Sequence, residues 1–163
     1  MEEEKTITSD IDRLENGRKD KPKGYPLGYW NNNPLNIRVI PNSPIDWDGE
    51  YQPNTDGEFE QFKTMAYGYR AAFVNMRTHI NKKGERTVAQ LITAWAPKNE
   101  NNTNGYIATV CKLTGFVAGT ILNPYDEEQM KKLAAAMSIV ENTSLYPVPY
   151  DAIDEGWNLY RQS

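Results

Sequence analysis

The sequence predicts an α+β domain that is mainly α-helical and carries one small β-hairpin lobe. Apolar residues recur at helical spacing from residue 64 onward. Turn-forming Pro, Gly, Asn and Asp residues crowd positions 41–58 between short apolar runs. A length of 163 residues with 39% hydrophobic side chains suits a single globular domain.

The first 24 residues differ from the rest in composition. They are dense in charge of both signs, and Ile7, Ile11 and Leu14 are their only large apolar residues apart from Met1. Such a segment buries too little apolar surface to order itself alone. We therefore divide the chain into a charged N-terminal arm, residues 1–24, which we expect to be flexible, and one domain, residues 25–163.

The domain opens on a segment rich in turn formers and aromatic residues, residues 24–38. Three asparagines precede Pro34, and a proline restrains the residue before it and lacks an N–H, so a helix or central strand cannot easily continue. The asparagine side chains are suited either to capping turns or to binding polar ligands, and the pattern leaves both open. Residues 36–40 then predict a short strand.

Residues 41–58 carry the turn signals of hairpins and predict a small, irregular β lobe, which residues 58–62 follow. Their carboxylates are expected at the surface, and any of them is a candidate second carboxylate for a site: Asp46, Asp48, Glu58 and Glu60.

Helical periodicity and capping residues predict five helices in the remainder. They run from a Thr64 cap to Gly84, from Thr87 to before Pro97, from a Thr103 cap past Leu113, from Asp126 to Glu141, and from Tyr150 to Tyr160.

Composition excludes several classes of chemistry. One cysteine, Cys111, allows no internal disulfide, and one histidine, His79, expected at the surface, allows no zinc site built on several histidines. A net charge of −4 gives no basic excess for nucleic acid. We expect no metal and no cofactor. The start Met-Glu-Glu-Glu-Lys lacks a secretory signal and no run is long enough to span a membrane, so we expect a cytoplasmic protein, as synthesised, without membrane insertion.

One carboxylate follows an apolar helical stripe. Leu133, Met137 and Val140 recur at helical spacing, and Glu141 comes directly after them, before poor helix formers. Partial burial at such a helix end raises the pKa of an acid and suits it to deliver a proton near neutral pH. The alternative is a solvated glutamate at a helix end.

An ordered set of motifs resembles a known family. The motifs are residues 31–38 (Asn-Asn-Asn-Pro-Leu-Asn-Ile-Arg), Trp47-x-Gly49, Phe59-x-x-Phe62, residues 67–71, Trp95-Ala-Pro97, residues 100–103, Tyr106-Ile107 and Val140-Glu-Asn142. Together they resemble phage and prophage-encoded proteins of Bacteroides-type bacteria, described as virion structural proteins and regarded as lysozyme-like. That family usually has glycine where this chain has Leu35 and Thr143.

A more distant resemblance concerns mechanism. The asparagine motif, Trp-x-Gly and Phe-x-x-Phe before a long helix look like bacterial N-acetylglucosaminidases, and residues 95–110 look like a segment of lytic transglycosylases. In those enzymes the helix ending in the catalytic glutamate comes first, whereas here it comes last. The resemblance implies a lysozyme-like domain, and our hypothesis is that its elements are circularly permuted.

The resemblance implies cleavage of peptidoglycan or a related glycan, with Glu141 as general acid/base. A hydrolase needs a second carboxylate, for which Asp48 and Glu58 are the candidates, whereas a lytic transglycosylase needs only one. The side chains suited to binding or stacking on sugars are Asn33, Asn36, Gln61, Tyr67, Trp95, Asn102 and Tyr106.

Other interpretations stay open. Trp95 and Tyr106 are equally suited to core packing. The domain as a whole is also consistent with a virion structural or glycan-binding module of little or no activity. Action at a cell wall would require delivery by a holin, a virion or a secretion machine, so a phage or secretion-machine partner is expected.

Overall fold

The structure, a computed structural model, describes residues 21–97 and 102–163. These residues are mainly helical, which confirms the predicted helical character. Residues 1–20 of the predicted N-terminal arm lie outside the described residues. The described helices are α1 (Leu27–Trp30), α2 (Met65–Lys82), α3 (Val88–Trp95), α4 (Thr103–Thr114), α5 (Glu127–Glu141) and α6 (Tyr150–Arg161).

Helix α2 contacts α3, α5 and α6 and carries much of the core. The Thr64 side chain accepts a hydrogen bond from the backbone N–H of Tyr67, and the helix ends at Lys82, two residues before Gly84, as predicted. The predicted apolar face is buried throughout: Met65, Tyr69, Ala72, Phe73, Met76 and Ile80. A helix this apolar along one face is stabilised mainly by packing.

Helix α6 packs along α2 and closes the core. Trp157 and Ile153, its predicted anchors, are buried, and the Trp157 ring meets Phe73 edge-on with 5.1 Å between centroids. The Tyr160 hydroxyl donates to the carbonyl oxygen of Pro124 at 2.8 Å, which ties α6 to the segment before α5.

The capping predictions hold for α3 and α5 and fail for α4. Thr87 forms a reciprocal capping box with Gln90, and Asp126 caps α5. For α4 the cap is Asn102, whose Oδ1 accepts from the backbone N–H of Gly105 at 3.1 Å, so the prediction of Thr103 was wrong. Asparagine caps at least as well as threonine, and the buried Thr103 hydroxyl instead donates to the carbonyl oxygen of Ala96.

The segment before α2 departs from its prediction in two ways. It contains a one-turn helix, α1, where no helix was predicted, and Asn32 and Asn36 adopt left-handed backbone with φ of 53° each. Asparagine tolerates that conformation better than other non-glycine residues. A Cβ on Gly68 would lie 1.9 Å from the Asn32 carbonyl oxygen, so the absence of a side chain there lets the asparagine segment lie directly on α2.

The predicted strand at 36–40 and the predicted hairpins do not form regular strands among the described residues. Pairing is limited to isolated antiparallel bridges, which include Arg38 with Phe59 and Glu50 with Phe62. The prolines of residues 41–53 lack N–H donors, and this interrupts any longer ladder. The lobe is therefore a compact irregular segment.

Two further expectations concern the surface. The His79 side chain was predicted to be exposed but is only 13% exposed, and burial lowers its pKa. Its ring lies beside that of Trp95, with centroids 5.8 Å apart. Within the described ranges, every helix is too short or too polar to cross a membrane.

Candidate functional site

Glu141 is the last residue of α5. Leu133 and Met137 below it are fully buried, whereas Val140 and Glu141 are half-buried, so the helix leaves the core within its final turn. The carboxyl group therefore lies at the boundary predicted from the apolar stripe.

Both carboxylate oxygens of Glu141 accept hydrogen bonds from neutral donors. Asn36 Nδ2 donates to Oε1 at 3.0 Å and to the backbone carbonyl oxygen of Glu141 at 3.3 Å. The Tyr106 hydroxyl donates to Oε2 at 3.0 Å. Three distant parts of the chain, the asparagine segment, α4 and α5, thus meet at one carboxyl group.

The asparagine segment presents Asn36 because Asn33 holds the turn from inside. Asn33 Nδ2 donates to the carbonyl oxygens of Ile37 at 2.9 Å and Glu60 at 3.0 Å, and its Oδ1 accepts from the Ile37 N–H at 2.9 Å. Asn33 is fully buried, so its amide is used within the protein and does not face a ligand. Of the two roles that the sequence left open for this residue, Asn33 therefore has the turn-capping role and not the ligand-binding one.

Asn142 joins the end of α5 to the same segment. Its Nδ2 donates to the carbonyl oxygen of Pro34 at 2.8 Å, and its Oδ1 accepts from the Tyr29 N–H at 3.2 Å. A Cβ on Gly28 would lie 2.4 Å from Asn142 Oδ1 and 2.9 Å from Asn36 Oδ1. Glycine at position 28 is thus required for both asparagines to reach the site. Sequence reasoning assigned no role to this contact, and no local pattern signals it.

Opposing effects set the protonation of Glu141. Burial is the largest and raises its pKa, whereas the hydrogen bonds from Asn36 and Tyr106 and the positive charge of Arg38 lower it, and the net result is a raised pKa. The Tyr106 hydroxyl has its own pKa raised well above the usual range, chiefly by burial and then by the neighbouring Glu141 charge. Tyr106 therefore stays a neutral phenol.

A cavity of about 420 Å³ opens beside this carboxyl group, large enough for a small sugar-sized ligand. Its lining residues are Asn102, Gly105, Tyr106, Thr109, Val140 and Glu141. Gly105 and Thr109 are four residues apart on α4. A Cβ on Gly105 would lie 2.5 Å from Asn102 Nδ2, so glycine there makes room for the capping side chain. Sequence reasoning missed both, although their helical spacing with Tyr106 could have indicated them.

The two candidate second carboxylates lie at the surface in ion pairs. Asp48 pairs with Arg70 at 3.1 Å and its side chain is 69% exposed, and Glu58 pairs with Arg38 at 2.6 Å and is 63% exposed. Neither lines the cavity beside Glu141. Glu60, by contrast, was expected at the surface but is 97% buried, since only 3% of it is accessible.

Most of the other predicted binding residues serve the framework. Gln61 is buried, and its amide donates to Asn31 Oδ1 at 3.0 Å. The Tyr67 ring lies against Gly49. Trp95 Nε1 donates to the carbonyl oxygen of Leu35 at 2.9 Å, which ties α3 to the asparagine segment. Of the predicted set, Asn36, Asn102, Tyr106 and Glu141 are brought together around the cavity or its carboxyl group.

The two departures from the family glycines cause no backbone strain. Neither Leu35 nor Thr143 has a positive φ, so a residue with a side chain adopts each conformation without penalty. Among the described residues, no group of three or more His, Cys, Asp or Glu side chains converges as metal ligands.

No protein-family model matches the chain. The chain is 38% identical to Protein P5 of Pseudoalteromonas phage PM2 over 135 residues, which cover 82% of this chain and 82% of that protein. The chain belongs to the P5 family. This relationship covers most of both proteins, so it supports the predicted link to phage.

Membership of the P5 family does not test the predicted fold type or the predicted activity. The relative is a phage protein, and its name specifies no activity. The lysozyme-like fold and the glycan substrate therefore stay predictions for this P5-family chain.

Proposed function

We propose that this protein cleaves peptidoglycan glycan strands, with Glu141 acting as general acid and then as general base. One observation carries the proposal: a half-buried carboxyl group with a raised pKa forms part of a cavity wall and is held on both oxygens by neutral donors. A carboxylic acid that stays protonated closer to neutral pH can protonate a leaving oxygen, and its fixed geometry aligns the proton.

The reaction begins as the Glu141 proton passes to the glycosidic oxygen and the bond from that oxygen to the anomeric carbon breaks. A hydroxyl of the same sugar then attacks the anomeric carbon, and the Glu141 carboxylate takes the proton of that hydroxyl. This lytic transglycosylase route needs one carboxylate. It is favoured because, among the described residues, Glu141 is the only carboxylate of the cavity wall, while Asp48 and Glu58 occupy surface ion pairs.

The proposal includes a lysozyme-like arrangement whose elements are circularly permuted. It is supported by the contact between a helix ending in glutamate late in the chain and an asparagine segment early in the chain. Asn102 and Thr109 are then the polar groups of the cavity wall available to sugar hydroxyl or N-acetyl groups. The phage relative is consistent with delivery of the enzyme to the cell wall by a holin or a virion.

The decisive experiment is zymography on peptidoglycan with wild type, Glu141→Gln and a matched control, Glu128→Gln. Glu128 lies on the same helix with its side chain 81% exposed, so its substitution removes a carboxylate without touching the cavity. We expect clearing by wild type and Glu128→Gln and none by Glu141→Gln. Equal clearing by all three proteins would refute the assignment of Glu141.

Mass analysis of the released fragments separates the two routes. Anhydro ends indicate attack by the sugar's own hydroxyl, whereas reducing ends indicate hydrolysis and renew the case for Asp48 or Glu58. The phage relative also favours a second function, a virion structural or glycan-binding module. Binding of peptidoglycan without clearing by the wild type would support that module.

A further inference from the structure

The two groups that hold Glu141 differ in what they can do when the carboxyl group gains a proton. An amide N–H₂ group only donates, whereas a phenolic hydroxyl both donates and accepts. A protonated carboxyl group needs an acceptor for its own O–H. The two oxygens of Glu141 are therefore inequivalent, although each accepts one hydrogen bond at 3.0 Å.

Asn36 is locked as a donor. Its Nδ2 faces two oxygens of Glu141, the side-chain Oε1 and the backbone carbonyl oxygen. Rotating the amide by half a turn would place Oδ1 against that carbonyl oxygen, which carries no proton in any state. Asn36 Oδ1 is buried and has no hydrogen-bond partner, so the observed orientation is retained although it leaves one acceptor unsatisfied.

Tyr106 is free to reverse its hydrogen bond. Tyr106 is also one of the residues that line the cavity beside Glu141. Its hydroxyl rotates about the C–O bond, so the same oxygen can donate or accept. When it turns, the phenolic oxygen presents a lone pair to Oε2. Tyr106 is buried, with 6% of the residue accessible, which suits it to hold a hydroxyl in place and not to stack on a sugar.

We infer that the catalytic proton of Glu141 is carried on Oε2, where Tyr106 accepts a hydrogen bond from it, while Asn36 keeps Oε1 as the carbonyl oxygen. Tyr106 is then a positioning residue that holds the proton on Oε2. The inference rests on the proposed function for its catalytic meaning. It assigns Tyr106 a different role from the sugar stacking predicted from the sequence.

Arg38 is the charged group whose charge acts on Glu141, after burial and the two hydrogen bonds in size of effect. Arg38, two residues after Asn36, contributes a positive charge that favours ionisation of Glu141, and Glu58 pairs with Arg38 at 2.6 Å. Burial opposes ionisation whichever oxygen carries the proton. Asn36 and Tyr106 each contact one oxygen, so these two hydrogen bonds distinguish Oε1 from Oε2.

Infrared difference spectroscopy across a pH titration reads the proton's position directly and requires no glycan. Protein labelled with ¹³C in the glutamate carboxyl groups, compared with Glu141→Gln, identifies the C=O stretch of protonated Glu141. Two variants each remove one partner: Asn36→Gly, because glycine tolerates the left-handed φ of 53°, and Tyr106→Phe, which keeps the buried ring.

We expect the C=O stretch to move to higher frequency in Asn36→Gly, because the carbonyl oxygen loses its donor, and to stay in place in Tyr106→Phe. A shift in Tyr106→Phe alone, in both variants or in neither overturns the inference. If Asn36→Gly fails to fold, Asn36→Ala serves as the second variant, since it removes the N–H donor without adding a carboxyl group beside Glu141.

The titration midpoints provide an independent measure. Asn36 donates more strongly to the ionised carboxylate than to the neutral carbonyl oxygen, whereas Tyr106 donates to the ionised form and accepts from the protonated form. Removing Asn36 should therefore raise the pKa of Glu141 more than removing Tyr106. An equal or larger rise in Tyr106→Phe contradicts the inference. These spectra are separable from the glycan assay: an inactive protein with the expected bands refutes the proposed function alone, and an active protein with the reverse bands refutes the proton placement alone.

Discussion

Burial raises the pKa of two glutamates in this domain, Glu141 and Glu60, but their neighbours act in opposite directions. The pKa of Glu141 is raised by burial alone, and the hydrogen bonds from Asn36 and Tyr106 oppose that effect. The pKa of Glu60 is raised to about 8 by burial, by a hydrogen bond to Glu50 and by the charge of Glu50, so all three effects act in the same direction. A raised pKa alone therefore does not identify a functional acid. The groups that surround the carboxyl group must also be considered.

The surroundings of the two acids differ as much as their hydrogen bonds. Glu60 belongs to a separate cavity of about 280 Å³ that Asp46 and Glu50 also line, and Gln52 Nε2 donates to Glu50 at 2.6 Å. Two carboxyl groups in contact there share a proton, which they retain at neutral pH. Glu141 has neutral partners instead, so its proton can leave and return without repulsion from a second acid.

The largest expected difference between the two acids is in activity. Glu141→Gln should lower the rate of glycan cleavage by about 10²–10⁴-fold, the usual contribution of a general acid or base, whereas Glu60→Gln should leave the rate nearly unchanged. Initial rates of peptidoglycan clearing measure both. Loss of activity in Glu60→Gln with an intact circular dichroism spectrum would remove the distinction.

The pH dependence of stability should rank the two acids in the opposite order, with Glu60 having the larger effect. The Glu60 pKa rises from an ordinary 4.5 to about 8 in the folded state, so the folded protein holds a proton that the unfolded chain has released. The contribution of Glu60 to the free energy of unfolding should therefore be fully present below about pH 4.5, and about 2–5 kcal/mol of it should be lost as the pH rises to about 8.

Glu60→Gln tests this effect because glutamine does not titrate and can still donate to Glu50. Between about pH 5 and about pH 9 the variant should lose most of this pH dependence and become more stable than the wild type at the upper end. Urea denaturation at several pH values checks the prediction. Parallel curves for the two proteins would show that Glu60 does not hold the proton.

Gly28→Ala should damage the Glu141 site without touching its cavity. The new Cβ would meet Asn142 Oδ1 at 2.4 Å and Asn36 Oδ1 at 2.9 Å, so both asparagines must shift. We expect a loss of about 1–3 kcal/mol in stability together with reduced activity. Gly119→Ala is the control, because no atom lies within 4 Å of its Cβ position. Equal results for both variants would show that Gly28 has no special role.

The smallest expected effects distinguish the cap of α4 from other caps. Asn102→Ala and Thr87→Ala each remove an N-cap hydrogen bond, at a cost of about 1 kcal/mol in stability. Asn102 also lines the cavity, so only Asn102→Ala should raise the KM for glycan. Thermal denaturation and cleavage kinetics measure the two quantities. A similar KM for both variants would limit Asn102 to its capping role.

Local patterns predicted the helices because their causes are local. The Thr64, Thr87 and Asp126 caps act on N–H groups within three residues, and the apolar stripe of α2 recurs within one helical turn. The position of Glu141 at the end of such a stripe was predictable on the same grounds. The isolated bridges of residues 37–62 were not, because strand pairing depends on partners distant in sequence.

The sequence by itself determined that a carboxyl group ends a buried helix and is partly withdrawn from water. Only the tertiary structure decided that Asn36, 105 residues earlier in the chain, and Tyr106, 35 residues earlier, would meet its two oxygens. It also decided that the side chains of Asn33 and Gln61 would form hydrogen bonds within the protein and that Glu60 would be buried beside Glu50. The physical reason is that helical periodicity acts over a few residues, whereas the partner of a buried polar group is chosen by the packing of the whole domain.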